Sequence, residues 1–272
     1  MDEKKILLLI LTLGYTIAPY FSNRFFLQNS KFYFLSHIFA LFLTLLGIIL
    51  NLPLITGILP IFCGFGLVMF CKLKSKSLFQ GFHFISIFPF VFSIISSTWF
   101  FCGMNQYKLL GYNDIWSFYA AVHGCFIGWL FLSGICFLSD KKRESKFLPI
   151  LCLTIVILFF TIAIGIYQNI LLKKIAVVGY SILFPISILY VEVIGNNKNF
   201  YSKSLLRISF CFLCFSFFLA LLNEFWIEFP KLLGGIPNMV LFHGIINAVI
   251  VIPSFLGSLI IGEIHPQIRT KD

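Results

Sequence analysis

Charge is what this chain has least of. Only 11% of its 272 residues are charged, against 60% hydrophobic, and the mean hydropathy is +0.99. A soluble domain carries about a quarter of its residues as charge, so that class is excluded. Alternation of polar and apolar residues is missing as well. The apolar runs are continuous, which excludes a transmembrane barrel, whose strands alternate. No polar stretch is long enough for a separate soluble domain. There is no Gly-x4-Gly-Lys-Ser/Thr loop to cradle a nucleotide phosphate, no His-Glu-x-x-His and no Gly-x-Ser-x-Gly. A nucleotide-driven pump and a conventional intramembrane metalloprotease fall with them. The eight cysteines lie within or at the ends of apolar runs and imply no disulfide framework.

What remains is a series of apolar segments, each near the 20 residues or so that a helix needs to cross a bilayer. The expected fold is all-α, a polytopic transmembrane bundle forming a single membrane domain over 1–272. Nine helices are expected, at 6–22, 33–50, 54–71, 79–102, 115–138, 147–167, 174–194, 204–225 and 239–262. The second and third meet tightly at Asn51-Leu52-Pro53, and a re-entrant reading of that pair reduces the count to eight. Pro60, Pro89, Pro185 and Pro253 fall inside apolar runs, where each removes a backbone donor and predicts a kink.

The net charge of +10 is scattered in ones, twos and short clusters between the apolar runs. That placement points to the lipid bilayer and its anionic headgroups as partner, with no nucleic acid. It also sets orientation. Fourteen basic residues fall on one side: Arg24, Lys31, Lys72, Lys74, Lys76, Lys141, Lys142, Arg143, Lys146, Lys198, Lys203, Arg207, Arg269 and Lys271. Six fall on the other: Lys4, Lys5, Lys108, Lys173, Lys174 and Lys231. The richer side is expected to be cytoplasmic, giving a multi-pass protein of the cell membrane with its N-terminus outside and C-terminus inside. Trp99, Trp116 and Trp226 then lie at outer helix ends, as an aromatic belt requires. The opening "MDEKKILLLILTLGYTIAPYF" has signal-peptide character, but its cleavage would put Arg24 and Lys31 outside. A retained first helix is expected instead.

Polar residues at membrane depth are the candidates for function. His123 lies about 12 Å into the fifth helix at roughly 1.5 Å per residue. His243 lies in the ninth, with Asn247 four residues on and therefore on the same face. Asn223, Glu224, Glu228 and Asp114 belong to the same outer side, and an outward-opening cavity shared by both histidines is expected there. Gly124, Gly128 and Gly244 allow close approach of a helix or ligand. An inner group comprises His37, His83, Tyr190, Glu192, Glu263 and His265, several of them near the interface. "CFLC", Cys211 to Cys214, has the spacing of a redox or metal pair but sits in an apolar helix, where cysteine packs as a small hydrophobe.

The two His-Gly pairs also carry a family resemblance. His123-Gly124-Cys125-Phe126-Ile127-Gly128-Trp129 follows the spacing of a His-Phe-His-Tyr-Ala-Gly-Phe signature, and His243-Gly244-Ile245-Ile246-Asn247-Ala248 matches His-Gly-x-x-Asn-Ala. With the approach "WFFCGMNQYKLLGYNDIWSFYAAVHG", the chain resembles the YndJ-like membrane proteins of bacteria over at least its C-terminal two thirds. The resemblance implies an inner-membrane protein of a family sometimes labelled transporter, with no established biochemical activity. Cys125 stands where the signature has a second histidine, which weakens a double-histidine ligand set. A soft metal held by His123, Cys125 and His243 is the form of metal binding left open.

Three functions follow. The first is a secondary transporter of a small solute, proton-coupled through His123 and His243, with Asn247 and Glu224 as further ligand-handling groups. The second is a membrane-embedded enzyme or a metal- or haem-binding protein acting on an apolar substrate. The third is an assembly partner in a larger membrane complex.

Overall fold

The computed structural model describes residues 2–75, 83–142, 144–194 and 199–268. Lys76, Arg143, Lys198, Arg269 and Lys271 lie outside the described residues, as do the expected start of the fourth helix at 79 and the side chains of Glu263 and His265. Among the described residues, nine helices are long and apolar enough to cross a membrane. They are α1 Glu3–Phe26, α2 Lys31–Ile49, α3 Pro53–Lys74, α4 His83–Met104, α5 Asp114–Lys141, α6 Phe147–Ile166, α7 Ile170–Ile194, α8 Phe200–Phe225 and α9 Met239–Gly262. The protein is an all-α membrane bundle.

Helices α2 and α3 are separate elements, and the residues between them show why. Asn51 takes a left-handed conformation, φ 54°, and the Leu52 amide reaches back to the Gly47 carbonyl at 2.8 Å, ending α2 in a Schellman-type turn. Pro53 then starts a 3-10 turn, Pro53–Gly57, that runs into the α-helix at Ile58. The same 3-10 start opens α4 at His83–Ile87, just before Pro89. Pro60 and Pro89, where kinks were expected, thus stand in the first turn of the α-helical part, just after the 3-10 turn.

The chain divides into two compact units, Glu3–Pro149 and Ile150–Asp272. In the first, α5 is the enclosed element, with 83% of its apolar window buried against 28% for α2. Its own Phe118 and Trp129 and the neighbouring Tyr15, Phe92 and Phe100 are almost fully buried, with Tyr15 edge-on to Phe100 at 5.3 Å between centroids. One end is tied by Lys4 to Asp114 at 3.2 Å and by the Tyr119 hydroxyl donating to Glu3 at 2.6 Å. At the other, Asp140 receives His83 Nδ1 at 2.9 Å and Lys74 Nζ at 3.6 Å. His83 is therefore an end-of-bundle group, as its place in the sequence suggested.

In the second unit a seam of serines joins α8 to α9. Ser202, Ser209 and Ser216 recur every seven residues, so they share one face of α8, and all three are fully buried. Ser202 Oγ donates to the Ser258 carbonyl at 2.7 Å and Ser209 Oγ to the Val251 carbonyl at 2.9 Å. Each step of seven up α8 is matched by seven down α9, so the next partner along the seam falls beside Gly244. A short hairpin connects the two helices. Its strands are β1 Leu232–Leu233 and β2 Ile236–Pro237, with Leu233 opposite Ile236. Gly234 and Gly235, both at positive φ, form the two-residue turn that this register needs.

Candidate functional site

Both His-Gly pairs lie at π-helical backbone. Gly124–Phe131 is a π-helix beginning directly after His123, and of two more, Met239–Gly244 contains His243 and Gly244 while Asn247–Val251 begins at Asn247. Among the described residues π-helix occurs in these stretches alone. Such segments widen the turn, leave carbonyls to be satisfied from the side, and recur at functional sites.

In α5 those carbonyls are met by side chains. His123 Nδ1 lies 2.8 Å from the Tyr119 carbonyl, one turn back in its own helix. A carbonyl only accepts, so Nδ1 carries the proton and Nε2 presents a lone pair. Ser96 Oγ of α4 donates to the Ala121 carbonyl at 2.7 Å, and Ser133 Oγ to that of Trp129 at 2.6 Å. The glycines admit the neighbours that make this possible. A Cβ on Gly124 would lie 3.1 Å from Ser96 Cβ, and one on Gly128 would lie 2.2 Å from the Phe92 ring. Trp129, fully enclosed, donates Nε1–H to Ser22 at 2.7 Å.

Cys125 is fully buried and faces α1, its sulfur 2.6 Å from where a Cβ on Gly14 would stand. His123 and Cys125 are two residues apart, a spacing whose side chains do not face each other on a helix. Among the described residues no three His, Cys, Asp or Glu side chains gather as a metal site would require. Cys211 and Cys214 are free thiols, the first exposed on the surface of α8.

His37 has a role that the sequence reading missed. Pro19 sits inside α1 and cannot donate to the carbonyl four residues back, that of Tyr15. His37 Nε2 donates to that carbonyl at 3.0 Å instead. Its other nitrogen, Nδ1, is buried and has no hydrogen-bond partner.

The second unit holds a tighter cluster. His243 Nδ1 lies 2.8 Å from Ser216 Oγ and 3.1 Å from the Ser216 carbonyl. Asn247 Nδ2 donates to the same Oγ at 2.8 Å, and Asn247 Oδ1 is buried without a partner. The Phe217 ring stands edge-on to the imidazole, 5.9 Å between centroids. His243 and Asn247 thus share a face, as their spacing predicts, but the residue that joins them is Ser216. Its signal was in the sequence, as the third member of the seven-residue serine series. Glu224 is engaged elsewhere: its carboxylate, 7% exposed, pairs with Lys173 at 2.6 Å. Lys231 Nζ donates to the Asn223 carbonyl at the end of α8. His123, with the Tyr119 carbonyl, belongs to the first unit, and His243, with Ser216, to the second.

A family model described as YndJ-like protein matches residues 82–251, well over half of the chain, running from the start of α4 to the last residue of the second π segment in α9. The chain belongs to the YndJ-like family. The three π-helical stretches among the described residues of this YndJ-like protein, and both His-Gly pairs, fall inside the matched region. A search of the curated proteins and of the solved structures finds no match.

Proposed function

We propose that this YndJ-like protein is a secondary transporter of a small solute, with a proton taken up and released at His243. The observation that carries the reading is the pair of groups at Nδ1: a hydroxyl that can donate, at 2.8 Å, and a carbonyl that can only accept, at 3.1 Å. With neutral imidazole protonated on Nε2, the Ser216 hydroxyl donates to Nδ1 while Asn247 donates to the hydroxyl oxygen. When Nδ1 gains a proton, it turns to the Ser216 carbonyl without moving the ring. The hydroxyl proton is released and needs an acceptor. A half-turn of the Asn247 amide brings Oδ1, unpartnered in the present arrangement, to Ser216. Both charge states of the histidine are therefore provided for, as a group that loads and unloads a proton requires. The π-helical backbone that holds His243 and Asn247, and the 3-10 to α junctions of α3 and α4, are places where a helix can change shape.

An enzyme using Ser216 as nucleophile fits less well. Its hydroxyl is fully buried, and it continues a series whose other two members pack α8 on α9. In this reading the N-terminus lies outside and the C-terminus in the cytoplasm, so that His243 is approached from the outer side.

The test is reconstitution in liposomes holding a pH-sensitive dye, exposed to a panel of small solutes at imposed pH gradients. One class of solute is expected to carry protons inward with it. His243→Ala should abolish that coupled flux while the protein still inserts. Solute flux without proton movement, or no flux for any class, overturns the proposal.

A further inference from the structure

The connection between α8 and α9 is unlike a water-exposed loop. Phe225, Trp226, Ile227, Leu232 and Leu233 are 49%, 51%, 93%, 59% and 55% exposed. Loops that face water are built from polar and small residues, because bare apolar area there is costly. The connection's two charges stand before the tip: exposed Glu228 follows Ile227, and the Lys231 ammonium folds back onto the Asn223 carbonyl, where a cation suits the negative end of α8. The tip, Leu232 to Gly235, is left without charge.

We infer that this hairpin is an interfacial element, lying in the headgroup and upper acyl region of the bilayer that α8 and α9 cross. The occupant of its surface is lipid. Three observations select lipid over a protein partner. Successive strand residues point to opposite faces, so exposed Leu232 and Leu233 make both faces of the two-stranded hairpin apolar. A docked protein would cover one face and leave the other bare. The hairpin is also held at membrane level, since α8 ends at Phe225 and α9 starts at Met239. The Asn238 amide donates to the Lys231 carbonyl at 2.9 Å and its side chain to the Pro230 carbonyl, which ties the base of the hairpin to the start of α9. Finally, Trp226 and Phe229, 6.1 Å apart, supply the aromatic pair that favours the interface.

Depth measurement by spin labelling in lipid nanodiscs tests this directly. Cys71, Cys211 and Cys214, which are not fully buried, would be replaced by serine. One nitroxide would then be attached through Leu233→Cys and, in a separate variant, through Glu144→Cys in the connection between α5 and α6, an exposed position among charged and polar residues. The label at 233 should collide several-fold more often with oxygen than with a water-soluble nickel complex, and the label at 144 the reverse. Equal nickel access at both sites places the hairpin in water and overturns the inference. So does dipolar broadening between labels at 233 on two molecules, which would make a second copy the occupant. Leu232→Asp in the 233-labelled protein should raise nickel access at 233, and intact helix content would separate that effect from unfolding.

Discussion

At His243, one nitrogen has two candidate partners, and the proton inventory chooses between them. The Ser216 hydroxyl has no hydrogen-bond acceptor other than Nδ1 among the described residues, so in the neutral site it donates there and the imidazole carries its proton on Nε2. Ser216→Ala removes that donor and keeps the backbone carbonyl of residue 216, 3.1 Å from Nδ1, as an acceptor. The ring should then switch to the Nδ1–H tautomer, which nitrogen NMR of labelled histidine reads directly; an unchanged Nε2–H signal would contradict the assignment. The stability cost should be small, about 0.6 kcal/mol, the mean for interhelical polar bonds in membranes. Gly128 presents the opposite balance. A methyl group there would stand 2.2 Å from the Phe92 ring in the most enclosed part of the first unit. Gly128→Ala should therefore destabilise by about 1–3 kcal/mol through overpacking. Thermal unfolding in detergent should show the loss, and adding Phe92→Leu should recover part of it. A wild-type melting temperature for the single variant would mean that α4 yields at that point.

Helix α1 is built around a defect that a neighbouring helix repairs, since Pro19 frees the Tyr15 carbonyl and His37 of α2 donates to it at 3.0 Å. His37→Phe should strand that carbonyl in the interior, at a cost of about 1–3 kcal/mol. Pro19→Ala restores the missing amide, so the double variant should be close to wild type, and a double-mutant cycle that proved additive would break the link. The elements themselves were largely legible in the sequence. Long apolar runs mark spans because hydrocarbon leaves a backbone no partner but itself, and the expected 239–262 begins and ends where α9 does. The contents of the spans were less legible. A π segment is a change of backbone register, and the apolar residues around His123 and His243 would suit an α-helix equally well. Ser216 was concealed for another reason: serine is unremarkable in a membrane helix until the seven-residue series through Ser202 and Ser209 is read as one face. The Gly234-Gly235 pair is a strong hairpin signal. It was passed over because the connection was read for its charge alone, Lys231 counting toward orientation and Glu228 toward the outer polar group.

For the whole molecule, nine spans among the described residues would put the chain's two ends on opposite sides of the membrane, and the division of basic residues predicts which side is which. The side with Lys72, Lys74, Lys141, Lys142 and Lys146 carries the excess, and that excess is the property the insertion machinery reads. Ion pairing blunts the bias only slightly on this side, where Asp140 engages Lys74 and Glu192 engages Arg207, two of fourteen. On the other side Asp114 engages Lys4 and Glu224 engages Lys173, so two of the six lysines there are already neutralised locally. Reporter fusions or cysteine labelling in intact cells should therefore find residues 141–146 in the cytoplasm and the Glu228 to Asn238 connection outside. The two sites test the assignment independently, because four spans, α6 to α9, follow the first and only α9 follows the second. The opposite result at both would reverse the molecule, placing the His243 end of α9 on the cytoplasmic side, and proton entry to Ser216 and Asn247 would have to be sought from there. Agreement at one site alone would mean that a helix among α6 to α8 does not span.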